Sequence, residues 1–240
     1  VANLGLVLGV TVIIFPIVVK RDSIRIDWPM LMLASLLFYI FAFNGELNFW
    51  EGLAFVLILA AFTFWLIRKS RIEGKALRAE QEIPDEAPKD STLKDILFVL
   101  LGLAGLYFGS DWLVTSVVVI AENFGVSEKV ISVSVVAFGT SVPELVTSAV
   151  AAFRKETDIS IGNLIGSNIF NILAILGITA LVHPLSINPS VMSFDVYFML
   201  GIAVLLLPFM IFGKKVGFWK GVVLILFYIF YMYFSFINPI

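Results

Sequence analysis

The sequence predicts an all-α membrane protein of about eight transmembrane helices arranged as inverted repeats. Three observations predict it. Of 240 residues, 60% are hydrophobic and 14% charged, against roughly 45–50% and 25% in soluble domains. When the apolar runs are counted as spans, Lys and Arg gather on one side of the membrane. The chain also resembles itself at an offset of 168 residues.

A helix needs about 20 apolar residues to cross the roughly 30 Å hydrocarbon core. Runs between charged or turn-rich breaks give spans at 1–19, 28–43, 52–67, 96–120, 130–153, 160–182, 195–212 and 221–237. The second and third are joined by Asn44-Gly45-Glu46-Leu47-Asn48 and read as a helical hairpin. Between Arg68 and Asp95 stand 14 of the 34 charged residues, ending in the acidic, proline-bearing stretch Glu82 to Pro88. That segment is an aqueous loop or linker, with room for helix in its first half. The spans put 15 Lys and Arg on one side and only Lys129 on the other. Positive charge marks the cytoplasmic side, so loop 68–95 is expected in the cytoplasm, both chain ends outside, and the whole in a plasma (inner) membrane.

Composition also excludes. Without Cys there is no disulfide framework, thiolate metal site or cysteine nucleophile, and His183 alone cannot make a histidine metal cluster. No basic stripe suggests a nucleic-acid partner. The first residue is Val, and nothing resembles a cleavable signal peptide.

The self-similarity aligns Val1–Thr11 with Ile169–Thr179. Asn3, Leu8, Gly9, Thr11 and Pro16 fall on Asn171, Leu176, Gly177, Thr179 and Pro184; Asp27 falls on Asp195. After a one-residue shift, Phe49-Trp50-Glu51-Gly52 falls on Phe218-Trp219-Lys220-Gly221. The first copy crosses inward and the second outward, so the repeats are inverted, as in many secondary transporters. Units are expected at 1–67 (three helices, the remainder of a first repeat) and 96–240 (five helices, the second repeat), joined by 68–95. Residues 96–168 have no earlier counterpart, so a missing N-terminal part of the first repeat, at least about 70 residues, is expected before Val1.

Within span 130–153, the stretch Ala137-Phe-Gly-Thr-Ser-Val-Pro-Glu-Leu145 carries the chemistry. A carboxylate at membrane depth is costly and marks a functional site by default. Pro143 has no N–H and clashes with the carbonyl of Gly139, which should open the helix just before Glu144. Thr140 and Ser141 precede Glu144 by four and three residues, so their oxygens share its face. Such hard oxygen donors suit calcium and similar cations. In the next span, Ser167 and Asn171 are one turn apart with Asn163 a turn earlier, and Gly162 and Gly166 allow close helix packing.

GTSVPELVTS followed by IGNLIGSNIFNILAILG resembles the second alpha repeat of the calcium/cation antiporter superfamily, in its sodium/calcium exchanger branch. Val1 to Gly9 resembles the tail of that family's first alpha repeat, and the likeness runs along essentially the whole chain. It implies the third to tenth helices of a ten-helix exchanger fold. It also implies a metal site of Glu144 with Thr140, Ser141 and the Ala137 carbonyl, completed by Ser167, Asn171 and Asn3. Many family members carry Asp where this chain has Asn171, one charge fewer. No cofactor is implied; Ca2+ and Na+ are the expected substrates, and lipid and metal cations the partners.

The resulting expectation is a secondary antiporter module, not an enzyme, exchanging calcium or a related cation for sodium. The alternative is a cation/proton antiporter using the same carboxylate. A hydrolase using Ser141 would need a Lys or His base, which no span interior offers; a non-transporting scaffold is the remaining rival. Asp111 reads as a helix-end residue, Trp28, Trp50, Trp112 and Trp219 as interfacial anchors, and Phe227 to Phe236 as lipid-facing.

Overall fold

In the computed structural model of the chain, the described residues are 1–80, 92–125 and 137–237. Apolar composition and the absence of water at membrane depth leave the backbone to bond within helices, and the described chain is almost entirely helical: α1 (Asn3–Ile14), α2 (Ser23–Asn44), α3 (Phe49–Glu80), α4 (Thr92–Asn123), α5 (Ala137–Phe153), α6 (Ile159–Val182), α7 (Val191–Lys214) and α8 (Phe218–Ile237). Among the described residues, six helices are long and apolar enough to cross a membrane. Asn3–Ile14 and the apolar part of α5, Ser141–Phe153, are shorter.

Helix ends follow local chemistry. Pro16 forces Phe15 into extended backbone and Pro184 does the same to His183, so the first span stops short of residue 19. Gly45, at φ 84°, closes α2 in the left-handed region that glycine tolerates. The aqueous segment differs from a plain loop: α3 runs on to Glu80 and α4 begins at Thr92. Lys69 and Glu73, 3.5 Å apart at i, i+4, support that extension in water. Residues 81–91, which hold the whole Pro- and acid-rich stretch, and 126–136, which hold Lys129 and the start of the fifth span, lie outside the described residues.

Two short antiparallel ribbons tie distant loops. β1 (Ile17–Val18) pairs with β4 (Lys215–Val216), and β2 (Glu46–Leu47) with β3 (Leu185–Ser186). α1 therefore runs toward the β1–β4 end of the bundle and α6 toward the β2–β3 end, in opposite directions. The β1–β4 end also holds the Lys69–Asp22 pair, at 2.5 Å, and the edge-on contact of Phe15 with Phe153. Lys20, Arg21, Arg68, Arg154 and Lys215 are thereby gathered at one end. Features recur at the offset of the sequence match: π-helical turns Ser23–Asp27 and Val191–Asp195 stand 168 residues apart, as do β1 and β3.

Glycines set the tightest crossings. A Cβ on Gly221 of α8 would lie 2.7 Å from the Gly9 carbonyl of α1. A Cβ on Gly52 of α3 would lie 2.7 Å from the Gly177 carbonyl of α6. Without a hydrophobic drive between helices in lipid, small residues that admit close backbones carry association. Around them Leu8, Val12, Phe55, Leu173, Ile202 and Leu206 form a buried core, while no residue in the apolar window of α4 is fully buried.

Candidate functional site

α5 runs through Pro143 as one continuous helix, so the opening expected just before Glu144 does not occur: the proline removes one rung of the ladder at Gly139 and the turns on either side carry the helix across. Gly139 is there because α4 crosses it: a Cβ would fall 1.9 Å from the side chain of Val114. One turn on, Glu144 is half-buried, and its Oε2 is fully buried with no hydrogen-bond partner among the described residues. A buried carboxylate oxygen left without a donor is costly unless a cation satisfies it. Ser141 on the same helix is buried. Ala137 and Thr140 belong to the α5 backbone, but their side chains lie outside the described residues.

α6 packs along α5, and the π-helical turn that begins α1, Asn3–Val7, packs against both. That turn buries Asn3, whose Nδ2 donates to Ser167 Oγ at 3.1 Å. Ser167 in turn donates to the Leu164 carbonyl at 3.2 Å. Residues 164 positions apart are thus joined inside the bundle, beside the helix that carries Glu144. Asn171, which begins the matching π-helical turn Asn171–Leu176, is exposed and makes no such bond.

Asn163 carries more than its spacing suggested. Its Nδ2 donates to Thr147 Oγ1 at 2.9 Å and to Ser148 Oγ at 3.0 Å. Thr147 Oγ1 donates to the carbonyls of Pro143, at 2.8 Å, and Glu144, at 3.1 Å. Thr147 and Ser148 were not expected to matter; the readable signal was a hydroxyl three residues after Glu144, facing a polar residue on the next span.

Among the described residues no group of three His, Cys, Asp or Glu could hold a metal. The donors at hand are one carboxylate with hydroxyl, amide and carbonyl oxygens, a set suited to binding and releasing a hard cation. Other marked residues sit apart: Asp111 is exposed, as are Trp50, Trp112 and Trp219. Trp28 differs from a free interfacial anchor, because its Nε1 donates to the Ala203 carbonyl of α7 at 2.7 Å.

Comparisons with known proteins bear on this arrangement. The family described as "Sodium/calcium exchanger protein" matches residues 1–68 and 94–237. The sodium/calcium exchanger MaX1 of Methanosarcina acetivorans is 31% identical over 266 residues, covering 95% of this chain and 75% of that protein. The inner membrane protein YrbG of Escherichia coli is 32% identical over 209 residues, covering 85% and 63%. A solved structure of the sodium-calcium exchanger NCX_Mj, soaked with Na+ and Sr2+, superposes with a TM-score of 0.76 at 27% identity, covering 96% of this chain and 72% of that one. A buried carboxylate oxygen without a partner among the described residues, an asparagine bonded to the neighbouring helix from the far end of the chain, and a family match along both sides of the central segment agree: this chain belongs to the sodium/calcium exchanger family.

Proposed function

We propose that the chain works as a secondary antiporter that exchanges Ca2+ for Na+ across a membrane. Glu144 is the central ligand, helped by Thr140, Ser141 and the Ala137 carbonyl on α5, by Ser167 and Asn171 on α6, and by Asn3 on α1. The units 1–67 and 96–240 act as inverted repeats; the opposed directions of α1 and α6 and the paired glycine crossings support that reading. The Lys- and Arg-bearing end faces the cytoplasm at the plasma membrane, as the charge bias favours.

The mechanism is competition for one set of oxygens. Calcium and sodium each neutralise the Glu144 carboxylate, so binding one displaces the other. Occupancy biases the bundle between its two openings because an ion shifts an equilibrium only by its differential affinity for the two states. The observation that carries the reading is the buried Oε2 of Glu144, unpartnered among the described residues, on a helix packed against the two that hold the Asn3–Ser167 bond. Glu144→Gln in the full-length protein, reconstituted in vesicles, is expected to abolish sodium-driven calcium uptake while the protein stays folded. Undiminished uptake would overturn the assignment.

A further inference from the structure

We infer that Asn163 is a positioning residue for Glu144, acting through Thr147; the inference rests on the antiport reading above. Pro143 lies inside α5 and removes one backbone hydrogen bond just before Glu144. A helix that has lost a rung just before its functional carboxylate is free to swing there unless something fixes its second half. Thr147 supplies the local part. Its hydroxyl bonds back to the carbonyls of Pro143 and Glu144, a pattern that bends helices rather than stiffening them straight.

Asn163 fixes this turn from α6. Its amide donates to the Thr147 hydroxyl, leaving that hydroxyl's single hydrogen for the two carbonyls. The same amide group holds Ser148, whose side chain is completely buried. Asn163 also stands one turn before Ser167, which receives the bond from Asn3. One face of α6 therefore holds the peptide of Glu144 at one level and Asn3 at the next. The relay runs from amide to hydroxyl to the backbone of the carboxylate residue, so it sets where Glu144 points without touching the ion.

The test uses Asn163→Leu, Thr147→Val, Thr147→Ser and Ser148→Ala in the full-length protein in vesicles. Asn163→Leu and Thr147→Val are each expected to raise the calcium KM about tenfold with little change in the maximal rate, and the double variant to be no worse than either single one, as for members of one network. Thr147→Ser keeps the hydroxyl and restores the KM; Ser148→Ala leaves it unchanged. Unchanged KM in both, or additive losses, overturns the relay. Hydrogen exchange of the α5 amides provides a readout that does not depend on ions. Asn163→Leu speeds exchange at residues 145–151 and not in α7; equal exchange in both proteins overturns the relay even where the wild type moves no calcium, a result that would instead count against antiport. If Asn163→Leu does not fold, Thr147→Val against Thr147→Ser decides the case alone.

Discussion

Asn3 and Asn171 begin matching π-helical turns in matching stretches of sequence, yet one is buried and bonded and the other lies exposed. The turn of Asn3 is wedged against α5 and α6, whereas the turn of Asn171 packs on α2 and α3 with its own side chain left outside the contact. The glycine crossings behave oppositely. Gly9 with Gly221 and Gly52 with Gly177 exchange roles under the sequence match and make crossings of equal closeness. Backbone geometry follows the repeat because the same residues dictate it locally. Side-chain environment does not, because it depends on which neighbours arrive.

This contrast can be broken or sharpened by substitution. The largest effect is expected at the crossings. Gly221→Val and Gly52→Val each drive a side chain into a backbone carbonyl that cannot yield, costing about 3 kcal/mol. Thermal unfolding in detergent should show similar losses for the two; a large effect at only one would break the equivalence. Asn3→Ala removes a buried donor and leaves Ser167 short of a partner, costing about 2 kcal/mol in the same assay. Asn171→Ala, at an exposed position, is expected to change stability by less than about 0.5 kcal/mol while still weakening calcium uptake. Equal destabilisation by the two asparagine variants would show that the difference in burial has no energetic weight. The smallest contrast lies at Trp28, which donates to Ala203 where its repeat counterpart Val196 has no donor. Trp28→Phe should cost about 1 kcal/mol by losing that bond, as measured by thermal unfolding in detergent.

Much of the architecture was legible in the residues. The Lys and Arg bias marked the loops that the β1–β4 ribbon and the Lys69–Asp22 pair gather at one end, whereas apolar length alone carried the first span past Pro16 to residue 19. The two-residue ribbons were not legible, since two residues carry no alternation to read. The room left for helix in the first half of 68–95 is where α3 runs on to Glu80, but that this helix is continuous with the third span was not readable from a dense charge run. At the candidate site, spacing put Ser141 near Glu144 and Ser167 near Asn171. It overlooked Thr147 and Ser148, because a hydroxyl on an apolar helix looks self-satisfied unless a partner on the next helix is known.

What the sequence determined alone was the membrane class, the helical fold and the family, because apolar length and motif spacing are local properties of the chain. Only the tertiary structure decided that Asn3 reaches Ser167, that Asn163 holds the backbone of Glu144, and that Asn171 stands open. Those outcomes depend on how closely glycines let the helices approach, and crossing distance is a property of pairs of helices, written in neither one.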